Sequence, residues 1–333
     1  MRLTLLLGMT TGLLFGSVHA DYTGREDVKE YVAELVAEHG FSDAALTELF
    51  AGAQRKDSIL EAIARPAERT LKWHEYRQIF IQETRIVQGL QFWAENESAL
   101  QRAQAEYGIP AEYVVAIIGV ETRYGRVAGS YRVVDALATL AFDYPPRAKF
   151  FRGELTEFLL LAREEDRNPT DLKGSYAGAM GYGQFIPSSY RGYAVDFDGD
   201  GQRDIWTNTT DAIGSVANYV SQHGWQNGAL VVLQVSVAGD GVDGLANQTL
   251  NLTRTVGELQ ALGVRVGPQA NGLRADTRAA IFRMQLEEGS EYWLGLKNFY
   301  VITRYNHSRL YALAVHQLGQ AIRSRRDDLR AVL

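Results

Sequence analysis

Hydrophobic residues recur at helical spacing through the first part of the chain. The pattern holds over residues 26–64 and again over residues 71–107, where apolar positions lie three or four apart. Pro66 ends the first region, and Pro110 stands where a first helical residue is expected. From residue 111 to about Tyr124 almost every position is apolar, which predicts a buried helix.

The second part of the chain mixes helical and strand patterns. Asp135 is expected to be the N-cap residue of a short helix. Leu230–Val237 alternates apolar and polar side chains as a strand does, within a stretch, 228–291, that is rich in turn signals. The predicted fold class is mainly α (α+β), with a small β-containing lobe inserted into a helical core. Helices are predicted near residues 136–141, 150–164, 212–222 and 310–322.

The first twenty residues differ from the rest of the chain. Arg2, the apolar run Leu3–Phe15 and the small residues up to Ala20 are typical of a secretory signal peptide cleaved after Ala20. A retained membrane anchor is the alternative, but the apolar run is short for a span of about 20 residues. We therefore expect a soluble protein without a membrane anchor, exported to the periplasm.

These patterns give an expected domain organisation. The long apolar helix opens the central core, and the strand-rich lobe interrupts the helices that complete it. The expected boundaries are a signal peptide at 1–20, an N-terminal helical region at 21–110, a core at 111–227, an inserted lobe at 228–291 and C-terminal helices at 292–333.

Composition excludes several classes of protein. The 333 residues include no cysteine, which removes disulfides, thiolate catalysis, cysteine-based zinc sites and a lipoprotein anchor. The formal net charge is −6, and an acidic chain is a poor partner for nucleic acid because its phosphates bind Lys and Arg. This charge is compatible with a neutral sugar polymer as substrate.

Glu121 is the main catalytic candidate. It stands at the end of the apolar helix, where Gly125 and the following loop would leave its carboxylate at the mouth of a cleft. Apolar surroundings disfavour an ionised carboxylate and raise its pKa, which suits a general acid. From these residues alone, a surface ion pair with Arg123 is the more ordinary explanation of Glu121.

A second motif indicates a cation site. Over residues 196–207, acids occupy positions 1, 3 and 5 and a glycine occupies position 6, as in an EF-hand loop. Thr207 stands at position 12 in place of the usual bidentate Glu, which leaves open whether the ion is Ca²⁺ or Na⁺. We expect a structural Ca²⁺. Asp204 is a candidate to bind the ion through a water molecule. The loop's expected ligands are Asp196, Asp198, Asp200 and Gln202.

Four sequence blocks resemble the lytic murein transglycosylase B family. They match in order along almost the whole chain after the leader. This resemblance implies a lysozyme-like helical core, with peptidoglycan glycan strands as substrate and other cell-wall enzymes as candidate partners. It also implies that Glu121 is catalytic and that Asp211 is a further metal ligand. The four blocks are Gly119–Gly125, Asp135–Leu140, Lys173–Tyr190 and Asp211–Tyr219.

The resemblance implies a mechanism with one acid. Glu121 protonates the oxygen between MurNAc and GlcNAc, and the 2-acetamido group stabilises the cationic carbon. The ionised Glu121 then removes the proton of the C6 hydroxyl, which closes on C1 and forms a 1,6-anhydro ring. Most glycosidases need two carboxylates, and no second one stands in the matching glycan-cleft motifs, since Asp135 is expected to cap a helix.

The resemblance also implies the residues that hold the glycan. Ser175 and Gln184 match positions that contact the reacting sugar or the catalytic Glu. Arg147 is a candidate for a carboxylate of the peptide stem, because Arg pairs with carboxylates in a bidentate manner. For each tyrosine, ordinary packing is the alternative. The remaining cleft positions are Tyr76, Phe185, Tyr219, Tyr305, Asn306 and Tyr311.

Two rival functions stay open on the sequence. A muramidase would hydrolyse the same bond with a positioned water, and its product would be heavier by one water. A non-catalytic, calcium-stabilised peptidoglycan-binding module would leave Glu121 with a structural role, so that Glu121→Gln would change nothing.

Overall fold

The computed structural model describes residues 22–65, 70–270 and 272–332, and the chain forms two compact units that divide between Arg55 and Lys56. The predicted signal peptide and the predicted break at Pro66 lie outside the described residues. No helix in the described part of the chain is long and apolar enough to cross a membrane.

The described residues of the first unit, from Tyr22 onward, form two helices after a short 3-10 turn at Tyr22–Gly24. Helix α1 spans Glu26–His39 and helix α2 spans Asp43–Ala51. Gly40 ends α1 in the left-handed conformation, at φ 65°, which a glycine adopts without strain. The single helical pattern of residues 26–64 is therefore divided into separate helices.

The second unit is built around one buried helix. Helix α7, Ala111–Thr122, packs against four other helices, and of its 12 residues Glu121 is the one that is not buried. The preceding helices are α3 (Asp57–Ile63), α4 (Trp73–Phe80), α5 (Glu83–Glu95) and α6 (Glu97–Tyr107). The following helices are α8 (Val133–Asp143), α9 (Ala148–Glu164), α10 (Pro187–Tyr193), α11 (Thr209–Gln222), α12 (Val256–Ala261), α13 (Lys297–Tyr305) and α14 (Arg309–Val332).

The prediction that Asp135 is an N-cap residue is wrong. Helix α8 begins two residues earlier, at Val133, after Arg132 as its N-cap residue. The reason is that strand β1 (Tyr131–Arg132) pairs with strand β2 (Lys173–Gly174) in an antiparallel ladder. The helix begins at the residue directly after β1. Asp135 lies in the first turn and accepts hydrogen bonds of 2.9 and 2.8 Å from the guanidinium of Arg132.

The strand-rich stretch forms a five-stranded antiparallel sheet with its own apolar cluster. The strand order is β4-β6-β7-β3-β5, and Leu233 and Val235 of β3 pack in the cluster with Val256 and Leu259 of α12. The expectation of a mainly helical protein with small sheets is confirmed. The strands are β3 (Val232–Val237), β4 (Arg254–Thr255), β5 (Val264–Val266), β6 (Arg278–Gln285) and β7 (Ser290–Gly295).

Candidate active site

Glu121 lies in the last turn of α7, where the chain turns sharply away. Arg123 and Tyr124 have φ angles of 51° and 61°, so two consecutive residues after the helix are left-handed. The Thr122 hydroxyl accepts a bond of 2.9 Å from the amide of Gly125 and contacts the carbonyl of Tyr182 at 2.9 Å. This buried threonine joins the end of α7 to the glycine-rich loop 174–186, and the sequence motifs did not single it out.

Buried Tyr311 and half-buried Tyr305 flank the Glu121 carboxylate. The Tyr311 hydroxyl donates a hydrogen bond of 2.6 Å to Oε1 of Glu121. The Tyr305 hydroxyl donates to the carbonyl of Gly183 at 2.5 Å, and the Tyr305 and Tyr311 rings stack with centroids 6.4 Å apart. Side-chain atoms at Gly183 would collide with the Tyr305 hydroxyl, since an added Cβ would lie 2.8 Å from it.

Burial, followed by the negative charge of Glu121, raises the pKa of Tyr305 and Tyr311 well above the ordinary value. Both phenols therefore keep their protons at neutral pH, and Tyr311 remains a permanent donor to Glu121.

Hydrogen bonds within the loop 174–186 stabilise its conformation. Met180 and Phe185 exchange two backbone hydrogen bonds of 2.9 and 3.0 Å. The Ser175 hydroxyl oxygen accepts bonds from the amides of Ala177 and Ala179, at 3.3 and 3.1 Å. These two acceptor roles leave the hydroxyl hydrogen of Ser175 available to a ligand.

Gln184 is oriented by two carbonyl groups. Its Nε2 donates to the carbonyls of Ala128 and Gly181, at 3.1 and 3.0 Å. Because both neighbouring groups are hydrogen-bond acceptors, the side-chain atom that faces them must be the nitrogen of the amide and not its oxygen. The amide oxygen of Gln184 therefore points elsewhere and can accept from a sugar hydroxyl.

The other predicted aromatic residues pack behind the site. Phe185 and Tyr219 are buried, and their ring centroids are 5.6 Å apart. The Tyr219 hydroxyl donates to the carbonyl of Arg304 at 2.7 Å. Tyr76 is 1% exposed, and its ring centroid lies 5.0 Å from that of Phe80. These rings form a wall with few exposed faces, so stacking on a sugar is not their main contact.

The structure brings Arg147 and Asn306 together in one groove of about 940 Å³. Asn306 belongs to the segment that joins Tyr305 to Tyr311, the two tyrosines at Glu121. Arg309 of the same segment lines the groove as well, and a lone arginine at a helix start gave no signal in the sequence.

The acidic loop gathers part of its predicted ligand set. Carboxylate oxygens of Asp196, Asp198 and Asp211 lie within 4.8 Å of one another. Asp200 is not part of this group, and its carboxylate accepts from the amide of Gln202 at 2.8 Å. Asp204, the candidate for action through water, accepts from the amides of Trp206 and Thr207 at 2.9 and 3.0 Å.

Backbone amides donate hydrogen bonds to the negatively charged carboxylates of this loop. Hydrogen bonds from the amides of Gly201, Gly199 and Asp200 lower the pKa of Asp196. Asp211 is 0% exposed and accepts from the amides of Phe197 and Asp204 at 2.7 and 2.9 Å. Burial raises the pKa of Asp211. Three carboxylates in this arrangement fit a hard cation such as Ca²⁺, which prefers oxygen ligands.

Comparison with solved structures defines the class of protein as lysozyme-like lytic transglycosylases. The soluble lytic transglycosylase SltB1 from Pseudomonas aeruginosa is 53% identical, with a TM-score of 0.85 over 90% of this chain and 99% of that chain. Escherichia coli Slt35 in complex with calcium is 45% identical, with a TM-score of 0.83 over 92% and 95% of the two chains. P. aeruginosa SltB3 in complex with NAG-anhNAM-pentapeptide is 33% identical, with a TM-score of 0.75 over 90% and 79%.

Among curated proteins, membrane-bound lytic murein transglycosylase B of Escherichia coli (strain K12) is 46% identical over 312 residues. The match covers 91% of this chain and 84% of that protein. The family described as Transglycosylase SLT domain matches residues 24–320, and the chain belongs to this family. The resemblance found in the sequence blocks is therefore confirmed, as is a lysozyme-like fold. The protein is a lytic transglycosylase that acts on peptidoglycan.

Proposed function

We propose that Glu121 is the single acid/base that cleaves the β-1,4 bond between MurNAc and GlcNAc and forms 1,6-anhydro-MurNAc. The observation that carries the proposal is the position of Glu121. It is the one partly exposed residue of a buried helix, and its carboxylate accepts a 2.6 Å hydrogen bond from Tyr311. Such a carboxylate is fixed in direction and still open to a substrate.

Asp135 does not offer a second carboxylate for hydrolysis by the two-acid route. It is buried, with a side chain 3% exposed, and is paired with Arg132. Hydrolytic glycosidases use a second carboxylate as nucleophile or as base for water. The arrangement therefore favours attack by a group of the substrate itself.

The proposed reaction has two proton transfers through one side chain. Protonated Glu121 gives its proton to the oxygen that leaves C1 of MurNAc, and the C1–O bond breaks while the 2-acetamido group stabilises the cationic carbon. The C6 hydroxyl of the same sugar then attacks C1, and its proton returns to Glu121. One C–O bond breaks and one forms, and no water is consumed. Intramolecular attack gains from proximity.

Polar groups of the cleft are proposed to orient the reacting sugar. The free hydroxyl hydrogen of Ser175 and the amide oxygen of Gln184 supply one donor and one acceptor. Arg147 is proposed to meet a stem carboxylate. SltB3 is a relative solved with NAG-anhNAM-pentapeptide, which supports both a stem-bearing ligand and an anhydro product for this chain. The aromatic wall of Tyr76, Phe185, Tyr219, Tyr305 and Tyr311, together with Asn306, is proposed to shape the cleft around the glycan.

The loop 196–207 is proposed to bind a structural Ca²⁺. Slt35, the E. coli relative, was solved in complex with calcium, and three acids of this chain already lie together. Asp196, Asp198, Asp200, the carbonyl of Gln202 and Asp211 are the proposed ligands. The ion would lower the repulsion among the acids and fix the loop.

The place of action is proposed to be the periplasm. The support is the leader-like sequence of residues 1–20 and the family's peptidoglycan substrate. Other cell-wall enzymes are proposed as partners there, and nucleic acid is not.

Digestion of purified peptidoglycan in H₂¹⁸O tests the reaction type. The proposal expects anhydro-muropeptides without ¹⁸O, because the C6 hydroxyl attacks C1. A muramidase would give products heavier by one labelled water, and that result would overturn the intramolecular step. A binding module would release no fragment at all.

A further inference from the structure

The turn that follows Glu121 has an unusual backbone conformation. Arg123 and Tyr124 are both left-handed, and neither is a glycine. The amide of Arg123 donates to the carbonyl of Gly119 at 3.2 Å and so closes the helix. Left-handed backbone is costly for residues other than glycine, so contacts with the rest of the protein must hold this turn. The side chain of Tyr124 makes such contacts.

The phenol of Tyr124 fills a slot between helices α5 and α7. Tyr124 is buried, and its hydroxyl donates to the backbone carbonyl of Arg85 in α5 at 3.0 Å. A Cβ added at Gly89 of α5, or at Gly119 of α7, would lie 2.6 Å from that hydroxyl. Glycine in the interior of a helix is destabilising relative to alanine. The slot therefore depends on two helix positions that carry no side chain.

Arg85 binds both ends of the segment that contains Glu121. Its buried side chain donates from Nη1 to the carbonyl of Gly119 at 2.7 Å, and its own carbonyl accepts from Tyr124. The helix dipole favours a cation at the carbonyl end of a helix. Residues 119–124 are thus attached to α5 at their first and last members, and Glu121 lies between these two attachments.

The direction of the Glu121 carboxylate depends on the backbone of this segment. Glu121 is two residues from Gly119 and three from Tyr124, so a rotation in the turn moves its side chain as well. The carboxylate must stay within hydrogen-bond reach of the oxygen that it protonates, and it also accepts from Tyr311 at 2.6 Å. A displacement of about 1 Å can cost about a hundredfold in rate. A contact on the far side of α7 can therefore control catalysis.

We infer that Tyr124 is a positioning residue for the cleavage step. Its hydroxyl, bound to the carbonyl of Arg85, fixes the left-handed turn and thereby the direction of Glu121. The inference rests on the proposed function of Glu121 as the acid/base. Because Tyr124 is buried between two helices, it acts through Glu121 and not on the sugar. Loss of its hydroxyl then lowers the rate of the chemical step and leaves the affinity for substrate unchanged.

The kinetics of Tyr124→Phe test the inference. The rate of anhydro-muropeptide release gives kcat and KM, and calorimetry with NAG-NAM-pentapeptide gives the affinity. We expect kcat to fall about tenfold, because the ring remains but Glu121 loses its fixed direction. KM and the affinity should change less than about twofold, since no contact with substrate is removed.

The matched control is Tyr190→Phe. Tyr190 of α10 is also buried, and its hydroxyl also donates to the backbone carbonyl of an arginine, Arg203, at 2.6 Å. Each variant loses one hydrogen bond, so the two should lose similar stability, but Tyr190→Phe should keep the wild-type kcat. An equal fall of kcat in both variants would show that Tyr124 serves only the fold. That result, a wild-type kcat for Tyr124→Phe, or a loss of affinity as large as the loss of rate would overturn the inference.

Gly89→Ala tests the slot from its other wall. Alanine favours the helix, but its Cβ would lie 2.6 Å from the Tyr124 hydroxyl and from Cδ1 of Ile322, the end of a flexible side chain. The displaced phenol should lower kcat as Tyr124→Phe does. In the double variant the hydroxyl and its clash are both gone, so we expect the kcat of Tyr124→Phe alone. A double variant whose loss is the product of the two single losses would contradict a shared slot.

Glu121→Gln, measured in parallel, separates this inference from the proposed function. A wild-type rate for Glu121→Gln would defeat the proposed function itself. A wild-type rate for Tyr124→Phe beside an inactive Glu121→Gln would defeat the positioning role alone.

Discussion

Two regions of the protein hold carboxylates by different means. At the cleft, Glu121 lies at the end of a buried helix and accepts a hydrogen bond from the side chain of Tyr311. In the loop 196–211, Asp196 and Asp211 accept hydrogen bonds from backbone amides, and Asp196, Asp198 and Asp211 lie close to one another. The first arrangement suits the proposed chemistry on a substrate, whereas the second suits the proposed structural cation.

Asp211 gives the largest expected effect on stability. Asp211→Ala removes the acceptor of three backbone amides, Phe197, Asp198 and Asp204, in a fully buried position. We expect a loss of about 3 kcal/mol in the free energy of unfolding, at about 1 kcal/mol per unpaired donor. Denaturant titration in EDTA measures it.

Asp200→Ala is the control for that experiment, since Asp200 is exposed and accepts from Gln202 alone among the contacts described for it. Its loss should be well under half of that of Asp211→Ala. If the two variants were equally stable, the loop would not depend on Asp211.

Tyr311→Phe probes the cleft side of the comparison. The ring remains and the donor to Glu121 is lost, so we expect a fall in kcat of about tenfold, equal to about 1.4 kcal/mol of transition-state free energy. The measurement is the rate of anhydro-muropeptide release. Tyr113→Phe removes a hydroxyl that contacts His316 instead, and this control should keep the wild-type rate. A Tyr311→Phe enzyme as fast as wild type would remove Tyr311 from the mechanism.

Calcium binding tests the loop and gives a free-energy effect no larger than that of Tyr311→Phe. At ten times its Kd, Ca²⁺ should stabilise the folded protein by about 1.4 kcal/mol, seen as a rise in Tm over EDTA. Asp196→Asn should remove most of this rise. Sodium giving the same rise, or neither ion giving one, would contradict a calcium site.

The calcium effect should also depend on pH. Burial raises the pKa of Asp211, so its folded form takes a proton at a higher pH than an ordinary Asp, near 3.9. The ion needs the ionised carboxylate and protons compete with it, so the stabilising effect of calcium is lost as pH falls, and at lower pH for a higher calcium concentration. Calcium titrations at decreasing pH measure the point of loss. A calcium effect that stayed constant far below the ordinary range of Asp would contradict carboxylate ligands.

Much of the helical core could be predicted because its apolar residues recur at regular spacing. Helix α7 was expected from residue 111 and ends within two residues of its expected end. The pattern of residues 26–64 did not show the break at Gly40, which depends on a local left-handed turn. Asp135 was misplaced because the start of α8 is set by a ladder with residues 41 and 43 positions away in the chain.

The candidate site was predictable only in part. Glu121 stood out as the acid at the end of an apolar helix, but its choice over a surface ion pair needed the family resemblance. The spacing of the loop acids predicted Asp196 and Asp198 as neighbours, and the structure shows them together. Arg309, which lines the large groove, was missed because a lone arginine at a helix start has no pattern in the sequence.

The most direct measurement is the rate of anhydro-muropeptide release by Glu121→Gln, with Glu106→Gln as control. Glu106 is likewise in the last turn of a helix, α6, but is exposed and paired with Arg102. The account predicts a loss of at least about a thousandfold for Glu121→Gln with its Tm preserved, and a wild-type rate for Glu106→Gln. Anhydro products from Glu121→Gln at more than about a tenth of the wild-type rate would contradict it.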